Sequence, residues 1–269
     1  MTRTLSLAHL TAIDLAPPAL IRAAAEAGFD AVGLRLIRVT DTSPGYPLME
    51  DARMMRETRA ALADTGLSVH DIEFVRIEPG TDIDALEPFL DAGATLGAHE
   101  AVVAPYDPDL SRLADRVALF AERAATRSLG VSMEFFPWTP PRNLDAALAL
   151  VTQAGPRVGL LVDTLHFDRS ESSLETLRRV PRERLRFAHL SDAPVHPPYS
   201  ADELFHTARE ARLPPGEGQI DLHAFLDALP PDLPLGVEVP MSALCAAEGP
   251  AAAIPRAFAG ARRLLGERP

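Results

Sequence analysis

Short apolar runs and apolar stretches of helical spacing take turns along the whole sequence, with glycine or proline between them. Val158–Asp163 shows the first kind most clearly: Val158, Leu160, Leu161 and Val162 follow Gly155-Pro156 and end on a carboxylate. A run without polar alternation reads as a strand buried on both faces, as in parallel sheets. Thr4–Leu10, Ala31–Ile37, Leu67–Ile77, Glu100–Ala104, Val131–Phe136, Leu185–Leu190 and Leu235–Val239 read the same way. Helices are expected between them at Ala19–Ala27, Glu50–Asp64, Ile83–Leu96, Leu110–Leu129, Leu144–Gln153, Leu174–Arg179, Leu222–Leu229 and Ala251–Leu265. Pro17-Pro18 suits a first helical turn, Gly28 and Gly66 suit helix ends, and Asp221 can cap the helix after it. Two segments break the alternation, Thr40–Pro47 and the long, proline-rich Ser191–Gly218. Loops as long as the second are usually functional or disordered.

Eight strand–helix units with no shift of composition predict an α/β chain forming one (β/α)8 barrel, a TIM barrel, over residues 1–269. Eight strands also fit an open doubly wound sheet, but no glycine-rich phosphate fingerprint follows the first strand. Composition narrows the function only by exclusion. A formal net charge of −12 argues against a nucleic-acid partner. A single cysteine, Cys245, excludes internal disulfides and multi-cysteine metal sites. The first residues lack the apolar core of a secretory signal, and no apolar run nears the ~18 residues of a membrane span. The expectation is a soluble cytoplasmic protein with no membrane partner.

The chemistry is concentrated where the strands end. Glu134, Asp163, His189 and Glu238 each close a different expected strand. A barrel brings its C-terminal strand ends to one mouth. Three carboxylates gathered there would repel one another and drive each other's pKa up without a cation between them. Oxygen and imidazole donors without thiolate suit one divalent ion: Mn²⁺, Mg²⁺, Co²⁺ or Zn²⁺. Any one of these residues alone reads equally well as a satisfied buried acid or histidine. Their repetition at four strand ends is what argues for a site. His166, three residues beyond Asp163, reads as a fifth ligand, an acid or base, or a polar loop group. Asp192, three residues after His189, can orient the site from behind. His9 and Arg35, near the first two strand ends, can reach the same mouth, and Phe136 and Trp138 can wall it.

Taken together, Glu134, the Asp163-Thr-Leu-His166 motif, the His189-Leu-Ser-Asp192 motif, Pro215-Gly-Glu-Gly218-Gln-Ile-Asp221 and Glu238 resemble the sugar phosphate isomerase/epimerase superfamily, the xylose isomerase-like barrels. The motifs fall in the second half of the chain; the first half matches in architecture alone. The resemblance implies one metal held by Glu134, Asp163, His189 and Glu238, with His166 touching a small polyhydroxy carbonyl substrate, and a homodimer as a common state. It implies proton transfer beside a metal-bound carbonyl, with Glu134, Glu238 and His166 as the catalytic groups. His9, Arg35, Trp138, Asp192 and Arg212 are the expected substrate contacts.

An isomerase or epimerase is the first expectation. Ketose epimerases of the superfamily also carry a glutamate shortly after the first ligand and an arginine shortly after the ligand histidine. Here Pro140 and Val195 or His196 occupy those neighbourhoods. The second expectation is a lyase of the dehydroshikimate or inosose dehydratase type, with His166 taking the proton and Arg35 or Arg212 gripping an anion. The endonuclease IV branch adds histidines before its Gly-Glu-Gly, whereas Arg212-Leu-Pro-Pro-Gly-Glu-Gly218 has none. A barrel that binds a metabolite without turnover is the remaining reading.

Overall fold

The computed structural model describes residues 3–40 and 43–266. Positions 41 and 42 of the expected Thr40–Pro47 loop, and positions 1, 2 and 267–269 of the expected domain, lie outside the described residues. Eight strands alternate with helices: β1 (Leu5–Leu7), β2 (Ala31–Arg35), β3 (Ser68–Ile77), β4 (Glu100–Pro105), β5 (Gly130–Glu134), β6 (Val158–Asp163), β7 (Leu185–Leu190) and β8 (Leu235–Val237). Each pairs in parallel with the next, and β8 returns to β1 through Leu5↔Leu235, Ser6↔Gly236 and Leu7↔Val237. The result is a closed TIM barrel. Closure leaves no strand edge, and parallel neighbours need the helical crossovers that the sequence supplies.

The helices are α1 (Pro17–Ala27), α2 (Ala52–Thr65), α3 (Glu87–Leu96), α4 (Leu110–Ala125), α5 (Leu144–Ala154), α6 (Thr164–Arg169), α7 (Leu174–Arg179), α8 (Ala201–Glu210), α9 (Leu222–Asp227), α10 (Ser242–Glu248) and α11 (Ala253–Leu264). Helix α4 shows why they form and stick. The Asp109 carboxylate accepts the backbone N–H groups of Ser111 and Arg112, capping two otherwise free donors. Leu113, Val117, Phe120 and Ala124 then fall on one face and are buried against the sheet. Full burial of a side chain such as Phe120 contributes about 1.5–3 kcal/mol. The main core lies between the outer face of the sheet and this ring of helices, while Val102, Leu161 and Phe187 form a small apolar plug of their own with Phe74.

Three helices were not expected, and two of them have a clear local cause. Helix α6 starts directly on the last residue of β6, because Asp163 itself caps it by accepting the His166 N–H at 3.0 Å. Six residues are too few to display a helical period. The segment Ser191–Gly218, expected to be irregular, contains α8, whose first turn closes a capping box between Ser200 and Glu203. Helix α10 follows Glu238 after only a few residues. Several strands are also shorter than expected: β8 stops at Val237, and His9–Ala12 is a turn of 3₁₀ helix rather than strand. No helix among the described residues is long and apolar enough to cross a membrane.

Candidate metal centre and active-site cavity

Glu134 ends β5, Asp163 ends β6, His189 lies next to the end of β7, and Glu238 follows β8. One donor atom from each lies within 4.8 Å of all the others. All four residues are buried. The His189 Nδ1 atom is 3.9 Å from Asp163 Oδ2 and 3.8 Å from Glu238 Oε2, and neither of its ring nitrogens has a hydrogen-bond partner. Glu134 Oε1 is unpartnered as well. The ring fits because the facing position of β8 is Gly236: a Cβ there would lie 2.5 Å from His189 Cδ2.

The charges do not cancel among protein groups alone. Arg212 donates from Nη1 to Asp163 Oδ2 at 2.6 Å, and its Nη2 forms an ion pair with Glu238 Oε2 at 2.7 Å. Three carboxylates against one guanidinium leave two negative charges in a buried space. With no further cation, only protons can relieve this. Burial, reinforced by Glu238, raises the Glu134 pKa well above the usual carboxylate range. Burial alone would lower His189, but Glu238, Glu134 and Asp163 outweigh it and push its pKa up to about 10. Asp163 and Glu238 are also buried, yet Arg212 and a histidine hold both below the ordinary carboxylate range. A single divalent cation would neutralise the cluster and give His189 and Glu134 the partner they lack. The donor set of one imidazole and three carboxylates fits Mn²⁺, Mg²⁺, Co²⁺ or Zn²⁺.

Beside the cluster opens a cavity of about 310 Å³, lined by Glu134, Glu238, Arg212, His166, Arg35 and Glu73 and walled by Phe74, Tyr106, Phe136 and Trp138. His166 stands edge-on to Phe136 and Trp138, with ring centroids 4.6 and 5.3 Å away. Its Nε2 is 3.9 Å from Glu134 Oε1, and its Nδ1 has no partner. Burial lowers the His166 pKa to about 4, against the pull of Asp163, so the ring is neutral near pH 7. Trp138 is fixed by donating Nε1–H to the Tyr106 hydroxyl at 3.1 Å.

Arg35 also lines the cavity, with its guanidinium 5.0 Å from the Phe74 ring centroid and Nη2 at 3.3 Å from Glu73 Oε1. Its Nε has no partner although it is buried. His9, expected as a substrate contact, belongs to the frame instead: its Nδ1 accepts the Arg35 backbone N–H at 2.8 Å, and Nε2 donates to Leu15 O at 2.9 Å. The ring stacks on Tyr46, so the residue acts behind Arg35. Asp192 is corrected in the same way. Its carboxylate accepts the backbone N–H groups of Ala193, Gly216, Gly218 and Ile220, and it ties down the Pro-Gly-Glu-Gly turn without lining the cavity. Glu73 was visible near the end of the third strand but was not assigned to the site. Phe74 and Tyr106 carried no signal beyond being aromatic.

Comparison with known proteins gives this geometry a family. Residues 21–261 match the model of the xylose isomerase-like TIM barrel. A 3-dehydroshikimate dehydratase of Pseudomonas aeruginosa is 30% identical over 92% of the chain, and one of Pseudomonas putida 28% identical over 84%. The chain spans only 39% and 35% of the lengths of those two relatives. Among solved structures, the IOLI protein, crystallised with a bound zinc atom, superposes with a TM-score of 0.81 at 18% identity, covering 98% of both chains. The chain belongs to the xylose isomerase-like TIM barrel family.

Proposed function

We propose that the chain is a metal-dependent lyase that removes water from a cyclic keto-polyol carrying a carboxylate, a substrate of the 3-dehydroshikimate type. The observation that carries this reading is the pairing of Glu238 with Arg212 at 2.7 Å. An epimerase working with two glutamates needs a free base on each face of the substrate. Glu238, bonded to a guanidinium and held below the normal carboxylate range, is a poor one. His166 is neutral, buried and open to the cavity, which suits a single proton acceptor. The two Pseudomonas dehydratases support the same choice.

In this reading Glu134, Asp163, His189 and Glu238 hold the divalent ion. When bound, the ion polarises the substrate carbonyl and stabilises negative charge on its oxygen. His166 takes the proton from the carbon next to that carbonyl, and its aromatic neighbours keep the ring oriented and dry. The hydroxyl on the next carbon then leaves, its C–O bond breaking as the new C=C bond forms, and it departs as water by taking the proton that His166 had removed. Arg35, which lines the cavity and keeps an unpartnered Nε, meets the carboxylate, whereas Arg212 is held by Asp163 and Glu238. Trp138 and Phe136 cover the ring of the substrate.

The test is direct. Metal-loaded protein mixed with 3-dehydroshikimate should produce a conjugated product whose ultraviolet absorbance rises with time. Absence of that rise, combined with deuterium exchange into a keto-sugar or keto-cyclitol in heavy water, would replace dehydration with isomerisation.

A further inference from the structure

We propose that Arg212 is a built-in counter-cation of the metal-free centre: it keeps Asp163 and Glu238 assembled before an ion arrives, and its charge then opposes that ion. The proposal rests on the reading of the four-residue cluster as a metal centre. The oxygens that Arg212 binds, Asp163 Oδ2 and Glu238 Oε2, are the same two that face His189 Nδ1 at 3.9 and 3.8 Å. The guanidinium therefore shares oxygens with the space between the ligands.

Arg212 is also fixed on every side. Its Nε donates to Ala208 O at 3.0 Å, and Nη1 donates a second time, to Ser191 Oγ at 3.2 Å. Its backbone N–H donates to Pro240 O at 3.1 Å, and the flanking residues form bridges Ala211↔Met241 and Leu213↔Asp192. The loop is thus stitched to the chain just beyond both β7 and β8, and the side chain is 2% exposed. A substrate that drew the guanidinium off Asp163 and Glu238 would leave two buried carboxylates uncompensated.

Two cations on the same oxygens weaken each other, and at short range in a buried site the effect is large. Arg212 therefore stabilises the empty centre more than the filled one. By linkage, removing its charge should make the folded protein depend more on metal and hold it more tightly. Neither consequence follows from a substrate-binding or purely packing role.

The experiment compares wild type, Arg212→Lys and Arg212→Gln, each stripped with chelator and reloaded with Mn²⁺, Co²⁺ or Zn²⁺. The melting temperature of each form is measured, and metal affinity is measured by competition with a chelator. The expected result is a metal-induced rise several degrees larger in Arg212→Gln than in wild type, with tighter binding of the ion. Arg212→Lys should stay near wild type, because it keeps the charge although, like Arg212→Gln, it loses the guanidinium's hydrogen bonds. Recovery of Arg212→Gln only in metal-loaded form would agree with the proposal. A rise in Arg212→Gln equal to or smaller than wild type would overturn it, as would indistinguishable Lys and Gln variants. Failure of Arg212→Gln to fold even with saturating metal would overturn it too, since a filled centre should need the guanidinium less than an empty one. A wild type that responds to none of the ions would remove the metal centre itself, and this role with it.

Discussion

The mouth of the barrel and its lower interior both bury charge, but they treat it differently. Low in the barrel, Glu100 accepts a hydrogen bond from Ser132 Oγ at 2.9 Å, and Arg186 lies close enough to offset part of the burial that raises its pKa. Asp71, in the middle, is pushed up to about 8 by burial and by Glu73, so near neutral pH it is mostly an uncharged acid. The interior thus moderates its acids with a hydrogen bond, a nearby guanidinium or a proton, although Asp71 Oδ1 keeps no partner. At the mouth, three acids meet one guanidinium, and His189 is left with two unpartnered nitrogens. Buried charge that finds its partner within the protein is frame; buried charge that does not is a place for something from outside.

The sharpest way to break this contrast is to take one ligand from the mouth. Glu134→Gln or Asp163→Asn should lose bound metal by elemental analysis and reduce activity to background. If metal content and turnover survive either change, the mouth is another balanced interior cluster. His166→Ala comes next. Metal content should stay at the wild-type level while turnover falls about 10²–10⁴-fold, the usual worth of a positioned acid or base. A metal-free His166→Ala protein would move that residue into the ligand set.

The lower interior predicts the opposite kind of result. Gly130 faces Glu100 so closely that an added Cβ would lie 2.2 Å from its Oε1. Gly130→Ala should therefore lower stability by about 1–3 kcal/mol through overpacking, with kcat and metal content unchanged. A thermal melt beside an activity assay separates the two regions. Loss of metal from this variant would mean that the two clusters are coupled through the barrel.

How legible was all this in the sequence? The barrel was, because buried parallel strands need unbroken apolar runs, and runs such as Val158–Val162 are hard to read otherwise. The four candidate ligands were, because a carboxylate or imidazole ending such a run is conspicuous. What stayed hidden depends on contacts between distant segments. Arg212 read as a substrate contact, but that it would pair with Asp163 and Glu238 was invisible until the bridges beside it brought it against them. His9 looked like a mouth residue because it lies just past β1, yet the chain turns there and points it behind Arg35. Helix α8 was announced by Ser200 and Glu203, a capping signature obscured by the prolines before it. Periodicity carries local burial; it carries no information on which polar atoms, far apart in sequence, will satisfy one another.

The last test reads the frame through acid, where the effect of titration vanishes near pH 7 and grows only as pH falls. His9 is wholly buried with both nitrogens bonded, and burial lowers its pKa to about 3. In the unfolded chain an ordinary histidine titrates near 6.5. Between those values the unfolded state binds a proton that the folded state refuses, so His9 makes stability fall as pH drops from about 6.5 towards 3. One such proton is worth about 1.4 kcal/mol per pH unit. His9→Gln keeps a donor and an acceptor but does not titrate. Its melting temperature should start below wild type at pH 7 and then decline less steeply down to pH 4. Parallel curves for the two proteins would show that the ring is protonated in the fold, and that the Arg35 N–H is not bonded to a neutral Nδ1.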